Sequence, residues 1–182
     1  CDRRQRQMCI RDSSVSDNGL YNKINQAYFL GGPEQAVEAL NRNLDLQIDD
    51  FATFNWKAVV DAVNILGGVD VELSKAEFYY INAYITETVE ATGVGSYQLK
   101  QAGLNHLDGV QAVAYARLRK MDTDFARTER QREIIDLCFQ KLKKSDFAVV
   151  NNVMEAVFPQ ILSSVTIDDI IPAARNLTKY TI

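Results

Sequence analysis

The stretch DDFATFNWKAVVDAVNILGGVDVELS, residues 49–74, decides the fold class. Its opening, DDFATFNW (49–56), alternates aromatic or apolar residues with polar ones, the period of a half-buried strand. KAVVDAVNILGG then spaces its apolar residues by three and four and ends on Gly67-Gly68, the residue type that closes helices. VDVELS (69–74) returns to alternation and reads as a second strand. Strand, helix and strand joined by short links predict an α/β unit.

Working outward, KINQAYFLGGPEQAVEALNRNL (23–44) predicts a short helix, a break at Gly31-Gly32 and a second helix. Pro33 falls in the first turn of that second helix, where its missing N–H costs nothing. Residues 1–19 are polar and aperiodic, so they are expected to be a disordered or non-native segment ahead of one domain, 20–182. On the other side, KAEFYYINAYITETVEAT (75–92) is open between helix and extended chain. Tyr79, Tyr80, Tyr84 and Ile85 share a helical face, while the β-branched content favours a strand. GSYQLKQAGLNHLDG (95–109) predicts a loop with a short extended piece. Asp108 then reads as the N-cap of a helix through GVQAVAYARLR, and a further helix runs from near Asp124 to about Lys144. Residues 146–177 predict two or three more helices, with Pro159 breaking one and Thr166 capping another.

A length of 182 residues allows one domain with a real core, and 47% hydrophobic with 24% charged residues is the balance of a globular protein. The formal net charge of −4 argues against a nucleic-acid partner, which usually meets a strongly basic domain. No apolar run reaches the length of a membrane span. Cys138 lies in an apolar helical run and reads as core. His106 reads as exposed at a helix-entry turn. No cysteine or histidine cluster marks a metal site.

Against that acidic total, AYARLRKMDTDFARTERQRE (114–133) gathers five arginines and a lysine around the meeting of two helices. Arg117 and Arg119 end the first. Arg127, Arg130 and Gln131 lie in the first turns of the second. Arg127 and Gln131 share a face that continues as Ile134, Ile135, Cys138 and Leu142, so they are expected to point toward the protein body. Cations at a helix N-terminus oppose the helix dipole, and such a local conflict marks a candidate site. Guanidinium forks suit phosphate oxygens, and free N–H groups at the helix start add donors. Asp122 and Asp124 could orient the arginines or help hold a hard cation. The same spacing also fits a solvated helix face with intrahelical pairs such as Glu129 with Arg132.

LDGVQAVAYARLRKMDTDFARTERQR (107–132) resembles the C-terminal signature of the LytR–CpsA–Psr family. NKINQAYFLGGPEQAVEALNRNLDLQIDDFATFNW (22–56) and VVDAVNILGGVDVEL (59–73) extend the resemblance, which runs from about residue 20 to the end. It implies an α/β/α sandwich, a central mixed β-sheet flanked by helices, here lacking the family's usual N-terminal strands. It implies a phosphotransferase that moves a glycopolymer, of wall teichoic acid or capsular polysaccharide type, from an undecaprenyl-pyrophosphate carrier to peptidoglycan. The expected setting is the outer face of a bacterial, Gram-positive cell membrane, reached through an anchor absent from this chain. The alternative is a non-catalytic binder of polyprenyl phosphates or envelope polymers that regulates wall assembly.

Position by position, the resemblance assigns the pyrophosphate to Arg117, Arg119, Arg127, Arg130 and Gln131, with Lys23 near the pocket mouth. Arg11, in IRDS, matches a phosphate-contacting arginine. Asp124, Arg127 and Arg119 are the implied catalytic residues, Asp124 taking the acceptor proton. Mg²⁺ is the implied cofactor, with its ligands expected in the missing N-terminal part. Candidate walls of the lipid groove are Phe51, Phe54, Val59, Val63, Leu66, Phe78 and Ile81.

Overall fold

The computed structural model describes residues 13–14, 21–119 and 124–166. They form two compact units. The first is built from described residues up to Thr53 together with those from Leu162 on. The second is Phe54–Ile161. In the first unit β1 (Ser13–Ser14) pairs antiparallel with β2 (Tyr21–Asn22), within and just beyond the segment expected to lack structure. Helix α1 (Gln26–Leu44) follows. Its regular φ/ψ fails at Gly31 and Gly32, the expected break, and Pro33 sits just beyond. A short strand β3 (Ala52–Phe54) pairs with β6 (Ile161–Ser163), where Ser164 N–H donates to Phe51 O at 3.1 Å.

The second unit starts at Asn55, whose side chain accepts from Ala58 N–H and so opens α2 (Trp56–Ile65). The strand expected over 49–56 is therefore shorter, and Trp56 is helical. Asn at the N-cap outweighs the alternating pattern before it. Helix α2 ends in a turn with Gly67 at φ +76° and Gly68 at φ +74°, a conformation that penalises a Cβ. β4 (Val69–Leu73) buries Val69, Val71 and Leu73 and exposes Asp70 and Glu72. It pairs antiparallel with β5 (Gly103–Leu107), Val69 opposite Leu107 and Asp70 opposite His106.

The ambiguous stretch is α3 (Lys75–Thr92). Ser74 and Glu77 form a reciprocal capping box at its start, and Gly93 N–H bonds Val89 O at its end. Ile81, Tyr84, Ile85 and Thr88 make one buried stripe at helical spacing. The threonines that favour a strand instead donate back along the helix, Thr86 to Asn82 O, Thr88 to Tyr84 O and Thr92 to Thr88 O. Packing and capping together override β-propensity here.

Asp108 caps α4 (Gly109–Arg117), as expected, in a second capping box with Gln111. Residues 109–115 are all buried, so α4 is the central helix of this unit. It stops two residues earlier than expected, because Leu118 leaves helical space at ψ 127° with its side chain buried. Helix α5 (Asp124–Lys144) has the expected bounds. Asp146 caps α6 (Phe147–Val157), and Pro159 lies in the following 3₁₀ turn, Phe158–Gln160. The next segment, expected to be helical, is β6. The strand Ala52–Phe54 offers Ile161–Ser163 a ladder partner, and that pairing overrides the helical expectation there. The expected cap at Thr166 concerns residues outside the described ones.

The α/β class and the flanking helices are as expected. Among the described residues the strands pair two by two, as three two-stranded sheets. Val60, Val63, Leu73, Ile81, Ile85, Leu107, Val110 and Leu118 form one core between α2, α3, α4 and the β4–β5 ladder. Each such side chain contributes about 1.5–3 kcal/mol by leaving water.

Candidate functional site

Arg117, the last residue of α4, is held on three sides. Its Nη1 donates to Thr88 Oγ1 at 2.8 Å. Its Nη2 lies 3.6 Å from Glu87 Oε2. Its guanidinium stacks over the Trp56 ring, 5.5 Å from the centroid. Thr88 is fully buried and spends its own proton on Tyr84 O at 2.7 Å, so its hydroxyl oxygen is fixed as an acceptor for the arginine. Two N–H groups at most are used in this way, which leaves donors of the five-donor fork for an anion.

Arg130 is placed differently. It is 5% exposed, its Nη2 donates to Leu118 O at 2.9 Å, and its Nη1 lies 3.4 Å from Glu77 Oε1. Its charge stands over the Tyr115 ring at 6.0 Å. Tyr115 Oη in turn donates to Glu133 Oε2 at 2.9 Å. Burial, then the Glu133 bond, push the Tyr115 hydroxyl well above its ordinary pKa, so it stays a proton donor. Arg117 and Arg130 thus face carboxylates ten residues apart on α3, Glu87 and Glu77, which is about 15 Å along a helix. The described contacts do not bring these two arginines together.

Arg127 is half-buried and faces inward, as the shared-face argument expects, and Gln131 Nε2 donates to Ala116 O at 3.4 Å. Arg119 is exposed directly after the buried Leu118. Asp124 opens α5. Lys23 is exposed in the turn before α1 and belongs to the other unit. Arg11 and Asp122 lie outside the described residues. His106 is exposed, but on β5 and not in a turn, with Nδ1 2.7 Å from Asp70 Oδ1. The partners that orient the arginines, Trp56, Glu77, Glu87 and Thr88, were not singled out from the sequence. The one available signal was Trp56, the single tryptophan, beside a helix start.

A cavity of about 400 Å³ runs along α2, α5 and α6. Its lining is apolar and includes Val59, Val63, Leu66, Ile134, Leu142 and Val157. Of the expected groove walls, Phe54, Val59, Val63 and Leu66 are here. Ile81 is buried core and Phe78 packs against it, while Phe51 belongs to the other unit. Cys138 lines the cavity, and burial raises its thiol pKa, so it is an apolar wall and not a nucleophile. Among the cavity's lining residues Val59 lies three positions after Trp56, its neighbour on the α2 surface, and Arg117 stacks on Trp56. Among the described residues no group of three His, Cys, Asp or Glu side chains could hold a metal ion, and no helix is long and apolar enough to cross a membrane.

Thr88 gives a direct test of how Arg117 is held. Thr88→Val keeps the shape and removes the acceptor, leaving Arg117 with a looser set of partners. We expect affinity for a soluble pyrophosphate ester to fall by about tenfold, the worth of one charge-assisted hydrogen bond, and Thr88→Ser to restore it. Calorimetric titration of the three proteins checks this.

The LytR_cpsA_psr family pattern matches residues 6–182. An uncharacterized protein of Staphylococcus aureus is 33% identical over 146 residues, covering 80% of this chain and 34% of that protein. The polyisoprenyl-teichoic acid–peptidoglycan teichoic acid transferase TagU of Halalkalibacterium halodurans is 28% identical over 159 residues, 86% of this chain and 47% of its own length. The solved structure of TagT bound to LIIa-WTA superposes with a TM-score of 0.62 at 26% identity, covering 89% of this chain and 57% of that one. The chain thus spans a third to a half of the length of these two curated relatives. With the pattern matched over nearly its whole length, the chain belongs to the LytR_cpsA_psr family.

Proposed function

We propose that this chain acts in the transfer of a glycopolymer, of teichoic acid or capsular type, from an undecaprenyl-pyrophosphate carrier to peptidoglycan. The observation that carries the reading is the adjacency on α2 of a cation and an apolar cavity: Arg117 stacks on Trp56, and Val59, about one turn further along, lines the cavity. A polyprenyl pyrophosphate has this same division, a dianionic head on a long apolar tail. The named activity of the teichoic acid transferase relatives agrees with it.

In the proposed reaction an acceptor sugar hydroxyl attacks the glycan-side phosphorus. The P–O bond to the carrier breaks, polyprenyl phosphate leaves, and the hydroxyl proton passes to Asp124. Phosphoryl transfer needs little covalent help from a protein, so positioning and charge neutralisation are the main work. Arg117, Arg119 and Arg127 supply the neutralising charge, and Arg130 and Gln131 fix the two helices that carry them. Mg²⁺ belongs to the proposal, but the described residues do not form a site that fits it, so no step is routed through the ion. The proposed setting is the outer face of a Gram-positive cell membrane.

Arg117→Ala is the test. With a lipid-pyrophosphate glycan, a peptidoglycan acceptor and Mg²⁺, we expect turnover to fall by about 10²-fold, the usual effect of removing one preorganised donor, with thermal stability little changed. Undiminished transfer by the variant overturns the assignment of Arg117. Carrier binding without turnover by the wild-type chain favours the regulatory binder.

A further inference from the structure

A second concavity, of about 430 Å³, lies on the β5 side of the Phe54–Ile161 unit, lined by Tyr97, Gln98, Lys100, Gln101, Asn105 and His106. Residues 93–101 have no helix or strand, yet their backbone is tied down at several points. Asn82 clamps Leu99 with two bonds, its Nδ2 donating to Leu99 O at 3.1 Å and its Oδ1 accepting from Leu99 N–H at 2.9 Å. Gln111, fully buried, donates to Tyr97 O at 2.9 Å. Ser96 Oγ donates to Asp108 Oδ2 at 2.6 Å. The Leu99 side chain is buried beneath the loop. Asn105 spends its amide N–H groups on Gln101 O and Gly103 O.

The loop is therefore a fixed platform, while its outward side chains are uncommitted. Among the described residues Gln98, Lys100 and Gln101 are exposed, and their side chains have no internal hydrogen-bond partner. The Tyr97 ring is 71% exposed although it is a large aromatic group. Committing two side-chain amides, Gln111 fully buried and Asn82 half-buried, to hold an irregular loop is costly unless the loop's geometry matters, and a flat aromatic face beside free carboxamides is a specific chemistry. An aromatic face packs on the apolar C–H face of a pyranose ring. Carboxamides offer a donor and an acceptor together, matching hydroxyl and acetamido groups. The single Lys100 adds one charge, too little for a polyanion cradle.

We infer that this groove binds an N-acetylated glycan strand. Taken with the proposed function, on which this last step rests, it is the acceptor subsite of the transfer reaction. Helix α4 links the two places. Its first turn holds the loop through Gln111, and its last residue is Arg117, about 9 Å further along. A strand of a few sugars seated in the groove spans that distance.

The test is a titration of the full chain, ¹⁵N-labelled, with the β-1,4-linked N-acetylglucosamine tetramer. We expect saturable shifts centred on residues 97–106. Tyr97→Ala, and separately Gln98→Ala with Gln101→Ala, should weaken binding by about tenfold, the worth of one to two lost contacts, with unchanged thermal unfolding since these side chains are exposed. No saturable shift, shifts elsewhere, or binding indifferent to both variants overturns the proposal. Tighter binding of polyphosphate than of the tetramer, abolished by Lys100→Ala, overturns it in favour of a polyanion site. The titration contains no carrier lipid and no turnover, so its result is independent of the Arg117 transfer assay.

Discussion

Gly109→Val is expected to abolish cooperative folding of the Phe54–Ile161 unit, and Gly109→Ala to lower stability by about 3 kcal/mol, at the upper end of overpacking effects. Gly109 is the first residue of α4, where the helix meets α2. A Cβ added there stands 2.8 Å from both Cα and C of Val60 and nearer still to its carbonyl oxygen. These are backbone atoms in the middle of α2, so no rotamer change relieves the clash. The helices must separate, and Val60, Val63, Val110 and Val113 lose packing on both sides of the gap. The Gly109 N–H also bonds Asn64 Oδ1 at 2.7 Å, and separation stretches that bond too. Its backbone has no positive φ, so the effect is steric and not conformational. Gly67→Ala is the contrast: φ is +76° there and nothing lies within 4 Å of a Cβ. That change should cost only about 1–2 kcal/mol of backbone strain. Thermal unfolding checks both, since for a chain of this size each kcal/mol moves the midpoint by about 2–4 °C.

The parts of this structure legible in the sequence are those governed by neighbours along the chain. The Gly31-Gly32 break, the Asp108 cap and the extent of α5 all follow from residues within one or two turns. The stretch 75–92 stays open on periodicity alone, because Ser74 reads as the end of a strand; Ser-x-x-Glu at 74–77 caps α3 and resolves the ambiguity. β6 was out of reach for a different reason. Phe51 and Ser164, which bond across the β3–β6 ladder, are 113 residues apart, and three residues after a proline carry no period of their own. The candidate site divides along the same line. That arginines gather at the α4–α5 junction is plain from the sequence. Which of them is committed internally depends on Glu77, Glu87 and Thr88, on a helix whose existence was itself open.

Arg130→Ala is expected to cost about 3–5 kcal/mol, the range for removing one partner of a buried ion pair. The family resemblance implies a pyrophosphate contact for Arg130, whereas in the structure its guanidinium donates to Leu118 O, pairs with Glu77 and lies over the Tyr115 ring. Truncation removes the donor to Leu118 O, at the C-cap residue that ends α4. It also leaves Glu77, itself only 13% exposed at the side chain, with its charge supported by Ser74 alone. Arg130→Lys should rescue little, since one ammonium cannot span a backbone carbonyl and a carboxylate while covering an aromatic face. Arg130→Met keeps the volume and should fall between wild type and Ala. If Glu77 is the main partner, Glu77→Gln combined with Arg130→Met should be less destabilising than the sum of the two, and a double-mutant cycle by denaturant unfolding reads that coupling directly. The same variants separate two kinds of arginine. Loss of transfer in Arg130→Ala should track loss of folded protein and recover on cooling, while loss in Arg117→Ala should persist in a fully folded chain. Equal stability of Arg130→Ala and wild type would return Arg130 to the group of ligand-facing arginines.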